Sequence, residues 1–280
     1  MKFSSSLILL MLVTAIAACQ SAPVTGRKQL MLVSEQQAID ASKEAYAQTL
    51  QPIAKAGKLN DDPALTDRVR GITARLIPQA IAYRPDTASW DWQVNVIDDP
   101  NTINAWCMAG GRMAIYTGII QKLSLTDDEI AQVMGHEISH ALAKHTAERM
   151  SLALAEEGAL QVGAALLGTN STTHQMALQA AAAATTVGMQ LPNSRRQEAE
   201  ADRIGIELAA KAGFDPRAAP TLWKKMMQAT GDKGKFDFLS DHPADEKRLE
   251  ALTALVPQMM PYYENKSARP LYQFRTASVR

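Results

Sequence analysis

Thr126-Asp127-Asp128-Glu129-Ile130-Ala131-Gln132-Val133-Met134-Gly135-His136-Glu137-Ile138-Ser139-His140 is the stretch whose reading decides the fold of this 280-residue chain. Thr126 with Glu129 has the spacing of a capping box. Behind it Ile130, Val133, Met134, Ile138, Ala141 and Leu142 recur at helical period. The pattern predicts one helix from about Thr126 to about Met150 with a buried face. On it His136 and His140 stand one turn apart, so both imidazoles can reach one metal ion, and Glu137 lies beside them. Three polar residues on or next to a buried face are costly unless paired. Two imidazoles that hold Zn²⁺, with a neighbouring glutamate that takes a proton from water, are the chemistry that HExxH on a helix supplies. A single core histidine bonded to a carbonyl would not explain the spacing.

A catalytic zinc site needs a third protein ligand. The metzincin pattern would place glycine at 143 and histidine at 146, where the chain has Ala143 and Thr146. His145 lies about half a turn from the His136/His140 face and is expected on the surface. The remaining source is a carboxylate from a second helix, as in gluzincins. Such a helix starts at Asn193 or Ser194 and stops at Gly213. Within it Glu200 shares a face with Arg203, Glu207 and Lys211, spaced as exposed ion pairs. Glu198 shares its face with Asp202, Gly205 and Ala209, which allow another helix to come close. Glu198 is therefore the expected ligand, and Asp202 the acceptor for the outer N–H of a ligating histidine.

The rest of the chain is ordinary globular sequence, 46% hydrophobic and 21% charged with zero net charge. That balance gives no support to nucleic-acid binding. Met1 to Ala18 has the form of a secretory signal. Ile16-Ala17-Ala18-Cys19 resembles a lipobox, which makes Cys19 the lipidated residue, and Gln20 then implies outer-membrane sorting with the chain facing the periplasm. Cys107 is left as a buried small residue with no disulfide partner. Residues 19–33 read as a tether. Helices follow from about Ser34 to Lys55 and from about Asp62 to Ile77, just before Pro78. The period then changes to two. Strands at Trp90–Ile97, Ile103–Met108 and Arg112–Thr117, with a Gly110-Gly111 turn, make a small antiparallel sheet. Asn104, Ala105 and Trp106 are candidates for an edge that binds extended substrate, or are plain sheet residues. An alanine-rich region runs from Ser151 to about Met189 with no stretch long enough to span a membrane, and His174 in it is expected to be exposed and idle. A last helix is predicted over Asp245–Val256, before a tail from Met259.

HEISH at 136–140, Glu198 with Asp202 in SRRQEAEADRIG, the AGFDP that follows, and His242-Pro243 together resemble the HtpX and CAAX-prenyl-endopeptidase superfamily. The likeness is strongest to its periplasmic BepA- and LoiP-type members and extends from about Pro23, through PVTGR, INAW and YTGII, to about Ala251. The resemblance implies an α+β, mainly helical zincin-like domain over 34–258, with His136, His140 and Glu198 on one Zn²⁺, Glu137 as general base and Asp202 supporting the ligands. It also gives His242 a place in a loop that can reach the metal, as a reversible plug or an oxyanion donor. The function implied is endoproteolysis of misfolded or unassembled envelope proteins, with outer-membrane assembly machinery as a possible partner. The competing reading is a lipid-anchored chaperone or assembly factor with a structural zinc closed by His242. A metal-free helical lipoprotein is the third.

Overall fold

The computed structural model describes residues 19–166, 193–229, 238, 240, 242 and 246–274. In chain order the elements are strands β1 (Cys19–Ser21) and β2 (Lys28–Leu30), helices α1 (Glu35–Lys55) and α2 (Pro63–Tyr83), and strands β3 (Gln93–Ile97), β4 (Ala105–Met108) and β5 (Arg112–Tyr116). Helices α3 (Thr117–Lys122), α4 (Asp127–Leu142), α5 (His145–Leu166), α6 (Arg195–Lys211), α7 (Ala218–Ala229) and α8 (Glu246–Glu264) follow. The arrangement is mainly helical with small sheets, as the sequence implied.

Helix α4 is the centre. Its predicted capping box is formed, and every residue from Glu129 to Leu142 is buried. Ile130, Met134, Ile138 and Leu142 join Leu76 and Ile77 of α2 and Met113 and Ile115 of β5 in one core. A helix covered on all sides must satisfy its polar residues within the protein, so the site is built inside the core. Helix α6 crosses it at glycine against glycine. A Cβ on Gly205 would lie 2.8 Å from the His136 nitrogen, and one on Gly135 would lie 2.9 Å from the Gly205 carbonyl oxygen. That contact is the close approach predicted for the Glu198 face.

The three-stranded sheet has the order β3-β5-β4. Strands β4 and β5 form the expected hairpin, antiparallel and turned through Gly110 and Gly111, both at positive φ. Strand β3 runs parallel to β5, so the sheet is mixed rather than antiparallel. Alternation of side chains fixes which face is buried and not strand direction, which explains the miss. Strand β4 is an edge, as expected.

Four boundaries differ from prediction, each for a tertiary reason. The long motif helix breaks after Leu142: Lys144 takes φ 60 and α5 starts anew at His145. Side chains from afar cap the end, Arg84 donating to the Leu142 carbonyl at 2.9 Å and Gln29 to that of Ala143 at 2.7 Å. Helix α2 continues through Pro78, whose ring leaves the Ala74 carbonyl without its helical donor; the Tyr272 N–H donates to it instead at 2.8 Å. The segment assigned to a tether forms the antiparallel β1–β2 hairpin and packs on the domain. Helix α8 extends past the expected end at Val256 to Glu264, and the chain beyond it returns to α2 and α6, where Arg269 donates to the Lys211 carbonyl at 2.8 Å. Among the described residues no helix is long and apolar enough to cross a membrane. Met1 to Ala18, His174 and most of the alanine-rich region lie outside the described residues.

Gly205→Ala should push α4 and α6 apart. Overpacking of this kind costs about 1–3 kcal/mol, to be read as a lower urea midpoint, whereas Ala209→Gly on the same face should leave His136 where it is.

Candidate metal centre

Helix α4 carries His136 and His140 one turn apart, α6 brings Glu198 across from the first turn of a helix capped by Ser194, and His242 closes from the other side. Ring atom Nε2 of His136 lies 3.0 Å from Nε2 of His140 and 3.2 Å from Nδ1 of His242. Glu198 Oε1 is 3.0 Å from His242 Nδ1 and 3.4 Å from His140 Nε2, and Glu198 Oε2 is 3.3 Å from His136 Nε2. All four residues are buried.

The outer atoms decide which nitrogens face inward. Asp202 Oδ1 lies 3.0 Å from His136 Nδ1, so a metal-bound ring would keep its proton there and turn Nε2 to the ion. His145 Nε2 is 3.0 Å from Glu200 Oε2. An ionised carboxylate only accepts, so His145 donates to Glu200, and its Nδ1 is left to accept from His140 Nδ1 at 2.8 Å. His140 then also presents a bare Nε2. Three ring nitrogens and a carboxylate oxygen crowd to within about van der Waals contact, and only a shared cation, a proton or a metal ion, makes that crowding favourable. Donors about 2.0–2.1 Å from a tetrahedral ion stand about 3.3–3.4 Å apart, close to the separations here. The residues fit a metal.

The electrostatics agree. Burial opposes charge on His136, but Asp202 and Glu198 outweigh it and push its pKa up to about 10. The pocket is thus negative enough to hold a cation. Burial drives the His140 pKa far below the usual imidazole range. For Glu198 burial is again the largest effect and favours the neutral acid, yet His242, His140 and His136 hold the carboxyl far below the usual range. Glu137, one residue from a ligand position, is fully buried and its pKa is raised, chiefly by burial. Its Oε1 lies 3.4 Å from His242 Nε2, a long contact rather than a hydrogen bond.

Two sequence expectations about placement are met here. Asp202 contacts His136 as foreseen, and Cys107 is buried, its thiol pKa raised by burial and by nearby Glu137. Asn104, Ala105 and Trp106 lie on or just before edge strand β4. The Tyr116 N–H donates to the Asn104 carbonyl at 3.1 Å, so by alternation the main-chain groups of Ala105 face the open edge. The Ala105 N–H there is taken by its neighbour's side chain, Asn104 Oδ1, at 2.8 Å. Ala105 is buried in the main core, while Trp106 packs edge-on to Tyr46 at 5.6 Å on the opposite face.

Two expectations fail. His145 is fully buried, because the break at Lys144 turns it back under His140. Glu200 is buried too: the first turn of its face is covered by the β1–β2 hairpin, and among the described residues the expected pairing on this face is seen further along, between Glu207 and Lys211 at 2.7 Å. Thr25 and Arg27 of the hairpin donate to Glu200, Arg27 at 2.6 Å, and Arg27 also makes a two-pronged pair with Glu148 at 2.7 and 2.6 Å. Sequence reasoning also missed Arg248, which grips Asp202 through two hydrogen bonds of 2.8 Å and forms an ion pair with Glu198 at 2.8 Å, with its guanidinium 3.9 Å over Trp223. Its signal was present. Arg248 shares a helical face with Leu252 and Met259, and a charge on a buried face needs a partner.

A profile described as "Peptidase family M48" matches residues 63–256. The mitochondrial metalloendopeptidase OMA1 of Schizosaccharomyces pombe is 36% identical over 168 residues, 60% of this chain and 47% of the relative. The human mitochondrial metalloendopeptidase OMA1 is 29% identical over 274 residues, 95% of this chain and 51% of the relative. The beta-barrel assembly-enhancing protease of Escherichia coli K12 is 33% identical over 210 residues, 72% of this chain and 41% of the relative. This chain thus spans about half or less of each of these three proteins.

Burial opposes ionisation of Glu200, but His145, Thr25 and Arg27 donate to it and pull its pKa down to about 2. A depressed carboxylate stabilises the fold above its unfolded pKa and loses that contribution as pH falls toward the folded value. Glu200→Gln should therefore lower stability at pH 7 by about 1–3 kcal/mol. In urea titrations at several pH values, the gap to wild type should close between about pH 4.3 and pH 2; a gap that is constant with pH would mean that Glu200 acts by packing alone.

Proposed function

The chain belongs to peptidase family M48, and on that premise we propose that it is a zinc-dependent endopeptidase of the cell envelope, held latent by His242. The observation that carries this reading is the convergence of His136, His140 and Glu198 on one point with a buried glutamate, Glu137, at its edge. Structural metal sites have no use for such a glutamate. Bound zinc would supply a Lewis acid that polarises the scissile carbonyl and lowers the pKa of a water.

The protein's own residues do the rest. Glu137, its affinity for a proton raised by burial, takes the proton from that water and later delivers it to the leaving amine. Asp202 and His145 hold the outer nitrogens of His136 and His140, so both rings keep their bare Nε2 toward the ion. Arg248 fixes Glu198 and Asp202 together, and the hairpin, through Glu200, fixes His145. Substrate lies along edge strand β4 in extended form, bonded through main-chain groups near Asn104, Ala105 and Trp106. His242 lies against His136 and Glu198 and would be a fourth donor to the ion; on leaving, it would make room for water and substrate and could turn toward the developing oxyanion.

The envelope setting rests on the leader and on the lipobox-like run ending at Cys19, which would anchor the chain by lipid to the outer membrane on its periplasmic side. The substrates that suit an edge strand are unfolded or unassembled envelope proteins. The name of the Escherichia coli relative supports a link to barrel assembly; the relatives named mitochondrial share the family in another compartment. The four-donor set also favours a second reading, an assembly factor in which His242 closes a structural zinc site permanently.

Cleavage of casein separates the two. His242→Ala should cut faster than wild type, and Glu137→Gln should lose at least about 10²–10⁴-fold in rate while keeping one zinc per chain by metal analysis. If all variants hold zinc and none cuts, the assembly-factor reading stands.

A further inference from the structure

The ring that aims His140 is itself aimed from the N-terminal hairpin. His145 Nδ1 lies 2.8 Å from His140 Nδ1, and its Nε2 lies 3.0 Å from Glu200 Oε2. Both His145 and Glu200 are buried. Among the described residues the Glu200 carboxylate is otherwise held by the β1–β2 hairpin, through the Thr25 hydroxyl and through Arg27 Nε, the latter at 2.6 Å. The same guanidinium reaches α5, where its two other nitrogens donate to Glu148 at 2.7 and 2.6 Å. Glu148 is buried as well, and it also accepts from Gln197 of α6 at 2.9 Å and from Gln29 of β2 at 3.1 Å. Gln29 in turn donates to the Ala143 carbonyl at 2.7 Å, at the break that turns His145 inward.

Two buried carboxylates from different helices thus meet across one arginine. Without the guanidinium they repel, and each would lose a charge-assisted partner. The Glu200 side chain is then no longer fixed where His145 Nε2 needs it. A His145 ring without that partner can rotate and present either nitrogen to His140, and the aim of His140 Nε2 at the ion is lost with it.

We propose that Arg27 is a positioning residue of the metal centre: by bridging Glu148 and Glu200 it keeps His145 seated against His140, and through it the hairpin sets how tightly the site holds its ion. Three side chains, Glu200, His145 and His140, carry the effect from the hairpin to the metal. The proposal rests on the metal-binding part of the proposed function and not on proteolysis.

The test uses the full chain, stripped of metal by a chelator and titrated with zinc against a chromophoric chelator, and separately with cobalt for its visible absorption. Arg27→Ala should weaken zinc binding by about 10–100-fold, the range for loss of an outer partner of a ligating histidine, and should change the shape of the cobalt band. Arg27→Lys, which keeps the charge without the fork, should fall between. Arg75→Ala is the control for a merely structural role. It removes a guanidinium that donates to the Ala212 and Gly213 carbonyls at the far end of α6, so it should lower the urea midpoint and leave zinc affinity and the cobalt band as in wild type. Circular dichroism checks folding; if Arg27→Ala unfolds, Thr25→Val, which removes a donor to Glu200 and leaves the arginine, carries the comparison in the same direction. Zinc affinity unchanged in the Arg27 variants, or a loss matched by Arg75→Ala, overturns the positioning role alone. Wild type that binds no zinc overturns the metal centre and this role with it. The expected order of affinities with no cleavage of casein by any variant, His242→Ala included, would keep the positioning role and overturn the endopeptidase reading.

Discussion

The contact on which the site depends is backbone against backbone, where Gly135 of α4 meets Gly205 of α6. A methyl group at either glycine would stand 2.8 to 2.9 Å from main-chain atoms of the other helix, which leaves no play in the distance between them. From that crossing the positions of the functional residues follow by helix geometry. His136 is adjacent to the contact and His140 one turn beyond it. On α6, Asp202 lies about one turn and Glu198 about two turns before Gly205. The first meets the outer nitrogen of His136 and the second the inner one. An ordinary crossing of leucine against leucine would separate the axes by 8–10 Å and hold the carboxylates out of reach.

What the crossing sets in distance, the surroundings set in orientation. Each inner nitrogen is aimed by a partner on the outer one, and the partners come from opposite ends of the chain. His136 is held by Asp202, itself held by Arg248 of α8. His140 is held by His145, then Glu200, then Thr25 and Arg27 of the N-terminal hairpin, a link between residues 175 positions apart. The hairpin is therefore an outer layer of the metal centre as well as the piece of chain next to the proposed anchor. Burial makes these layers necessary, because in a low-dielectric interior an unpaired carboxylate or imidazole is expensive.

How much of this was legible follows from what kind of signal each residue left. The start of the motif helix with its capping box, the cap of α6 near Ser194 and the face of α6 that carries Glu198, Asp202 and Gly205 could be read because they are local signals. His145 could not, since its burial depends on Lys144 adopting a left-handed backbone with no glycine to mark it. Glu200 has the spacing of a solvated charge, and only the hairpin folding over it reverses that. Pro78 signalled a helix end, and the fold supplied a substitute donor from the far end of the chain. In each case a contact distant in sequence overrode a sound local rule. Arg248 is different: its place on an apolar face was visible and went unread.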